Sequence, residues 1–264
     1  MSAPNVPVIT LNNGVSIPAL GLGTWQSKPE DVVNAVEYAI KEAGYRHIDG
    51  AWMYGNEKEV GEGIRRSGVP RSEIFITSKL WCTRHHEVEK ALDESLASFG
   101  TDYLDRKVRA IGVSNFSQKK LEEILPTATI VPAVNQLELH LYNPQADLID
   151  YLRSKQITPQ AYSPLGSTNS PLLTDESVTN LAQKYKLQAA DILLGYLLKK
   201  GIVVLPKSVT PSRISSNITG AVAAVGSLTE EDVAQLDKVA PGGKQKRFIR
   251  PPWGVDLGFS DWNA

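Results

Sequence analysis

The sequence predicts an α/β chain in which strands and helices alternate to build a parallel sheet closed as a (β/α) barrel. Two observations carry that prediction. From residue 19 onward short β-rich runs alternate with amphipathic helical stretches, the order that parallel strands with helical crossovers require. The chain has 264 residues, 42% of them hydrophobic, which is close to the roughly 250 residues of one such barrel and enough to bury a full core. A single domain over residues 1–264 is the expected organisation.

The elements follow in order. Val8 to Leu11 and Val15 to Ile17 flank Asn12-Asn13-Gly14, a turn whose residues tolerate positive φ, so a hairpin precedes the barrel. Seven runs read as barrel strands: 19–24, 47–51, 74–79, 109–114, 133–137, 158–163 and 202–206. In the first helix Val32, Val36, Ala39, Ile40 and Ala43 share one face, and Gly44 ends it. Further helices are expected over 57–66, 87–99, 118–125, 145–155, 174–186, 190–200, 211–218 and 230–239. A closed barrel of this kind has eight strands, one more than the sequence supplies. After Pro241-Gly242-Gly243 the tail carries Trp253, Phe259 and Trp262, too apolar for a solvated end. It is expected either to pack on the barrel or to line a pocket.

Composition excludes several function classes. The net charge is -1, so no long-range field recruits nucleic acid or an anionic membrane. Residues 1–7 lack the features of a secretory signal, and the longest apolar stretch, Ile192 to Leu198, is too short to span a bilayer. Cys82 is the single cysteine, which fits a reducing compartment, and nothing around it activates a thiolate. A soluble, cytoplasmic, monomeric protein with no bound metal is expected, since no metal-ligand spacing of His, Cys or carboxylates occurs. Gly21-Leu22-Gly23 lacks the third glycine and the downstream acid of a dinucleotide fingerprint.

Chemistry concentrates at two neighbouring strand ends and the helix start that follows the first. Gly44-Tyr45-Arg46-His47-Ile48-Asp49 places an aspartate at the end of one strand, and Tyr54 follows at the start of a helix. Phe75-Ile76-Thr77-Ser78-Lys79 places a lysine at the same end of the next. Alone, Asp49 and Lys79 make a structural ion pair and Tyr54 a packing residue. Together they make a different group. An ammonium beside a phenol lowers its pKa, and Tyr54 becomes a general acid tuned by Lys79 and Asp49.

Across nearly its whole length the chain resembles the aldo-keto reductase family. The motifs Gly21 to Trp25, Gly44 to Glu57, Ser78 to Trp81, Gly112 to Phe116, Val134-Asn135-Gln136, Ala161 to Ser167 and Pro206 to Val209 occur in the family's order. The resemblance implies a (β/α)8 TIM barrel that reduces an aldehyde or ketone by hydride transfer from NADPH. It places Tyr54, Asp49 and Lys79 in a catalytic tetrad whose fourth member is a histidine. It assigns Ser114, Asn115 and Gln136 to the nicotinamide carboxamide and Tyr162 to the nicotinamide face. Thr24 is assigned to the cofactor as well, and Ser163, Leu165 and Ser167 to the pyrophosphate loop. Lys207, Ser208, Val209, Arg213 and Asn217 fall to the adenosine end, the two cations gripping the 2′-phosphate. Trp25 and Trp81 wall the pocket for a small carbonyl substrate. Ser216 departs from the glutamate or glutamine common at its position.

The resemblance also exposes a gap. Asp102-Tyr103-Leu104-Asp105 passes directly into Arg106-Lys107-Val108 where the family carries a further strand, loop and helix, roughly 45 residues or one unit of such a barrel. That block holds the tetrad histidine and much of the substrate loop. His85 and His86 follow the Lys79 strand on the catalytic side, but are expected in solvent, and His47 and His140 are expected to be structural. The flanking strands lose a ladder partner, so low stability is expected, and Arg109 to Ser114 either shifts into the vacancy, closing a strained seven-stranded barrel, or leaves a gap. Two alternatives to a working reductase stay open: an NADP(H)-binding or regulatory module without turnover, and an inert truncated product.

Overall fold

The computed structural model describes residues 4–101, 108–168, 170–250, 256–259 and 261–262. The junction after Asp105 and Trp253 both lie outside the described residues. All seven expected barrel strands are present: β3 (Leu22–Gly23), β4 (His47–Asp49), β5 (Phe75–Thr77), β6 (Val113–Ser114), β7 (Val134–Glu138), β8 (Thr158–Tyr162) and β9 (Val203–Leu205). Ahead of them β1 (Val8–Thr10) pairs antiparallel with β2 (Ser16–Pro18) around the turn in which Gly14 takes φ 82°. Leu11 and Ile17 of this hairpin are buried with Ala133, Val203 and Leu205, so it packs at the foot of the barrel.

The barrel strands are parallel and run in two sheets, β3-β4-β5 and β6-β7-β8-β9. Bridges Leu20↔Val204 and Gly23↔Lys207 join β3 to β9, so the strand order is β5-β4-β3-β9-β8-β7-β6. Among the described residues no ladder joins β5 to β6. Of the two arrangements open to residues 109–114, closure onto the neighbouring strand or a gap, the described residues show the gap. β6 keeps its place beside β7, with Val113 opposite Asn135 and Ser114 opposite Gln136. The seam is bridged near its base by side chains: the Arg109 guanidinium lies 5.1 Å from the centre of the Phe75 ring, and Asn13 Nδ2 donates to the Arg109 carbonyl. Beside β5, at the end of the third helix, a cavity of about 270 Å³ is lined by Ile64, Ile76, Phe99, Gly100 and Thr101 among others.

The helices are α1 (Pro29–Lys41), α2 (Glu57–Arg66), α3 (Val88–Phe99), α4 (Gln118–Ile124), α5 (Ala146–Ser154), α6 (Glu176–Tyr185), α7 (Ala189–Lys199), α8 (Pro211–Ser227) and α9 (Glu230–Asp237). Two of them differ from expectation for identifiable reasons. α1 begins at Pro29, before its apolar stripe, because proline suits the first helical position and Glu30 and Asp31 favour the positive helix start. α8 runs to Ser227 rather than stopping near 218, and its glycine serves contact, not termination. A Cβ on Gly220 would sit 2.0 Å from Asp191 Oδ1 of α7, and one on Gly195 of α7 would sit 2.4 Å from Ala224 Cβ. Small residues let α7 and α8 touch closely, and residues 191–198 of α7 are buried throughout. Gly21 has a similar role: a Cβ there would meet the His47 ring at 2.8 Å.

The described part of the tail packs on the body of the protein. Arg247 is buried, binds the Asp261 carboxylate through Nε and Nη2 at 3.0 Å each, and lies 4.5 Å from the Phe259 ring centre. Glu138, at the end of β7, accepts the backbone N–H groups of Phe248 and Ile249 at 2.6 and 3.0 Å.

Candidate active site

The carboxyl ends of β4 and β5 bring three groups into one hydrogen-bonded set. Lys79, just beyond β5, donates to both Asp49 oxygens at 2.8 and 2.7 Å, to the Gly50 carbonyl at 2.8 Å and to Tyr54 Oη at 3.2 Å. Asp49 is buried and Lys79 and Tyr54 are half-buried. Tyr54 lies not at a helix start but in a 3-10 turn, Trp52–Tyr54, ended by Gly55 in the left-handed region at φ 65°. The turn tips the phenol back over Lys79, and α2 begins only at Glu57. Asn56 steadies this corner by donating to the Thr24 and Ser27 carbonyls, and Thr24 Oγ1 donates to the Asp49 carbonyl.

Electrostatics in this set differ from the expectation in one respect. Burial raises the Tyr54 pKa above its ordinary value, and the Lys79 charge and hydrogen bond, which pull it down, do not overcome burial and the Asp49 charge. Lys79 responds in the opposite sense. Burial lowers its pKa, but the charges of Asp49 and Tyr54 and the hydrogen bonds to them outweigh that, and the net direction is upward. At neutral pH the set is therefore an ammonium beside a protonated phenol, which can give a proton to an oxygen placed against Tyr54.

On the opposite wall Gln136 of β7 reaches across the barrel, its Nε2 donating to Asp49 Oδ1 and to Gln160 Oε1 at 2.9 Å each. Ser114 Oγ donates to the Gln136 carbonyl, and Tyr162 Oη donates to Asn115 Oδ1 at 2.9 Å. Asn115 and Ser163 hold positive φ, 59° and 49°. The 163–167 turn is closed by Gly166 N–H donating to the Ser163 carbonyl, with Leu165 packed on the core and Ser167 exposed. Lys207 and Arg213 are exposed and lie at the end of β9 and the first turn of α8, with no ion-pair partner for either among the described residues. Ser208 Oγ accepts the Thr210 N–H, Val209 packs on the core, and Asn217 is buried in α8. Trp25 is 44% exposed and Trp81 half-buried, both beside the strand ends that carry the set.

None of the four histidines hydrogen-bonds Tyr54, Lys79 or Asp49. His47 is held by the Pro18 carbonyl and Thr77 Oγ1, His140 by Glu138, and His85 and His86 are exposed. Two residues missed in the sequence are polar and face the barrel interior. Gln160 shares the strand face of Tyr162, and Glu138 that of Gln136. Their period-two spacing from known motif residues was the available signal. Among the described residues no group of three or more His, Cys, Asp or Glu could hold a metal, and no helix is long and apolar enough to cross a membrane.

Comparison with known proteins identifies the family. The Aldo/keto reductase family matches residues 19–106 and 107–241, a break one residue beyond the junction read from the sequence. D-galacturonate reductase of Hypocrea jecorina is 40% identical over 95% of this chain and 97% of its own length. That alignment runs over 306 positions, more than the chain has residues, so the relative carries residues without a counterpart here. Glycerol 2-dehydrogenase (NADP(+)) of Saccharomyces cerevisiae is 38% identical over 93% of this chain and 95% of its own. Among solved structures, a Bombyx mori aldo-keto reductase in complex with NADP superposes with a TM-score of 0.84 at 33% identity, covering 94% of this chain and 96% of that one.

Proposed function

The chain belongs to the aldo/keto reductase family, and we propose that it reduces an aldehyde or ketone to the alcohol with NADPH, Tyr54 acting as general acid. Its fold is the (β/α)8 barrel of that family, with seven barrel strands among the described residues. The observation that carries the reading is the Tyr54–Lys79–Asp49 set, in which one ammonium touches both the phenol and the carboxylate.

The residues present fit NADP(H). Lys207 and Arg213 are free cations beside a helix start, suited to a phosphate dianion that NAD(H) lacks. The Ser163 and Ser167 hydroxyls and the turn between them suit the pyrophosphate, and Gln136, Asn115 and Ser114 offer hydrogen bonds to a carboxamide, with Tyr162 beside them. Bound NADPH would supply the hydride. Tyr54 would give its proton to the carbonyl oxygen as that oxygen gains charge, and Lys79 would stabilise the phenolate left behind, itself held by Asp49. The raised pKa of Tyr54 keeps that proton in place through the neutral range, which favours reduction over alcohol oxidation. Trp25 and Trp81 would flank a small carbonyl substrate.

A second reading is favoured by the placement of the histidines: with none bonded to the Tyr54 set, the carbonyl lacks its usual orienting donor, and the protein would bind NADP(H) with little turnover. A single-domain organisation is supported by a main core cluster that extends from Ala19 to Phe259, and a reducing, cytoplasmic setting by the single cysteine; the protein is proposed to act as a soluble monomer. Fluorescence titration with NADPH, followed in the same cuvette by a simple aldehyde, decides between the readings. Saturable binding with NADPH consumption supports the reductase, and binding without consumption supports the cofactor-binding module. Absence of binding rejects both.

A further inference from the structure

Gln160 is buried in the middle of β8, and nothing in the mechanism above uses it. Its Oε1 accepts from Gln136 Nε2, whose other bond runs to Asp49 Oδ1. Asp49 is held by the Lys79 ammonium and, as a carboxylate, only accepts hydrogen bonds. The Gln136 atom facing it is therefore the NH2, so the chemistry of the partner fixes the orientation of the amide. Both Gln136 N–H groups are then occupied, one by Asp49 and one by Gln160. The Gln136 Oε1 is left to accept a hydrogen bond from whatever enters the site.

Gln160 also bears a cost at this position, since its own Nε2 is buried without a partner. An apolar side chain of similar length would avoid that cost, so the contribution of Gln160 lies in its oxygen. We propose that Gln160 is a positioning residue: by accepting the second Gln136 N–H it holds the Gln136 amide with its oxygen presented to a carboxamide NH2, and so selects a nicotinamide ring bearing that group. This rests on the NADP(H) reading of the site.

Calorimetric titration of the purified chain with NADP+, its 3-acetylpyridine analogue and 2′,5′-ADP tests the proposal without requiring turnover. The analogue has no N–H to donate, and 2′,5′-ADP has no nicotinamide. Wild-type protein is expected to prefer NADP+ over the analogue. Gln160→Met is expected to weaken NADP+ by about fivefold to tenfold, in the range for loss of one buried hydrogen bond. It should also bring NADP+ and the analogue to similar affinity and leave 2′,5′-ADP binding unchanged. Gln160→Glu keeps an acceptor oxygen and is expected to restore the preference. Equal weakening of NADP+ and 2′,5′-ADP in Gln160→Met would assign the residue a merely structural role, and an unaltered preference would overturn the proposal directly. Wild-type protein that binds neither NADP+ nor 2′,5′-ADP would remove the cofactor reading itself and this proposal with it.

Discussion

His47 makes the stability of the open barrel depend on pH. The ring is fully buried at the start of β4, with Nδ1 3.1 Å from the Pro18 carbonyl and Nε2 2.9 Å from Thr77 Oγ1 of β5, the strand that borders the seam. A carbonyl only accepts, so Nδ1 carries a hydrogen; because burial keeps the ring neutral above about pH 4, Nε2 is then the acceptor of the Thr77 hydroxyl. Burial lowers the His47 pKa from 6.5 to about 4, against smaller raising effects of Asp49 and the Pro18 hydrogen bond. The unfolded chain takes up a proton as pH falls through 6.5, and the folded chain does so only near 4. The stabilisation is therefore complete above the unfolded value and is lost as pH falls toward the folded one. At about 1.4 kcal/mol per pH unit the whole interval amounts to roughly 3 kcal/mol, of which about 2 kcal/mol is gone by pH 5. Urea unfolding of wild type and His47→Gln between pH 8 and pH 4.5 isolates this contribution, because glutamine can keep one donor and one acceptor but does not titrate. Glu57 and Asp191, whose pKa values burial raises, act in the opposite sense but are present in both proteins and cancel. The stability difference between the two proteins should shrink by about 2 kcal/mol from pH 7 to pH 5. A difference that stays constant across that range would refute the reasoning.

Tyr54→Phe should lower reduction by about 10²-fold to 10⁴-fold, the range for loss of a general acid, while NADPH fluorescence titration stays unchanged; undiminished turnover would sink the assignment. Arg213→Ala should weaken NADPH by about tenfold or more and leave NADH binding alone, since a charge-assisted bond to the 2′-phosphate is worth about 1.5–3 kcal/mol; equal losses for both cofactors would place the arginine elsewhere. Glu138→Gln replaces a buried carboxylate that accepts two tail N–H groups, and should cost about 1–3 kcal/mol in thermal or urea unfolding. It should also speed proteolytic cleavage after Lys246 or Arg247. Inserting a relative's strand, loop and helix after Asp105 should raise the melting temperature by supplying both seam edges with a partner, and an unchanged melting temperature would mean that the seam costs little.

The strand count was legible because each barrel strand is a short apolar run bounded by breakers, and the structure returns the same seven. The Asp49, Tyr54 and Lys79 set was legible from position alone, since residues at adjacent parallel strand ends must converge. Its electrostatics were not. The downward pull of Lys79 on Tyr54 is visible in the sequence, but the burial that outweighs it depends on how the Trp52–Tyr54 turn folds back. The length of α8 was hidden for a related reason: Gly220 reads as a breaker until Asp191 of α7 is seen against it. Gln160 and Glu138 were missed because a polar residue in a strand takes its meaning from what stands opposite, and their partners are 24 and 110 residues away in the chain.

The position of the seam explains how a barrel can lose one unit and keep most of its site. The acid group sits on β4 and β5, and the residues matched to the cofactor sit mainly on β6 to β9 and the loops that follow them. These halves meet at β3 and β9, through Leu20↔Val204 and Gly23↔Lys207, and across the interior through the Gln136 to Asp49 bond. The open edge between β5 and β6 lies on the other side of the ring. A unit absent at that place would take with it a wall, and the histidine the resemblance assigns to it, without separating Tyr54 from the residues proposed to hold the cofactor. On the proposed reading, cofactor binding and proton donation would depend on the closed side of the barrel, whereas orientation of the carbonyl would depend on the open one. The deficit expected of this chain accordingly falls on the rate of reduction and the choice of substrate, and much less on affinity for NADPH.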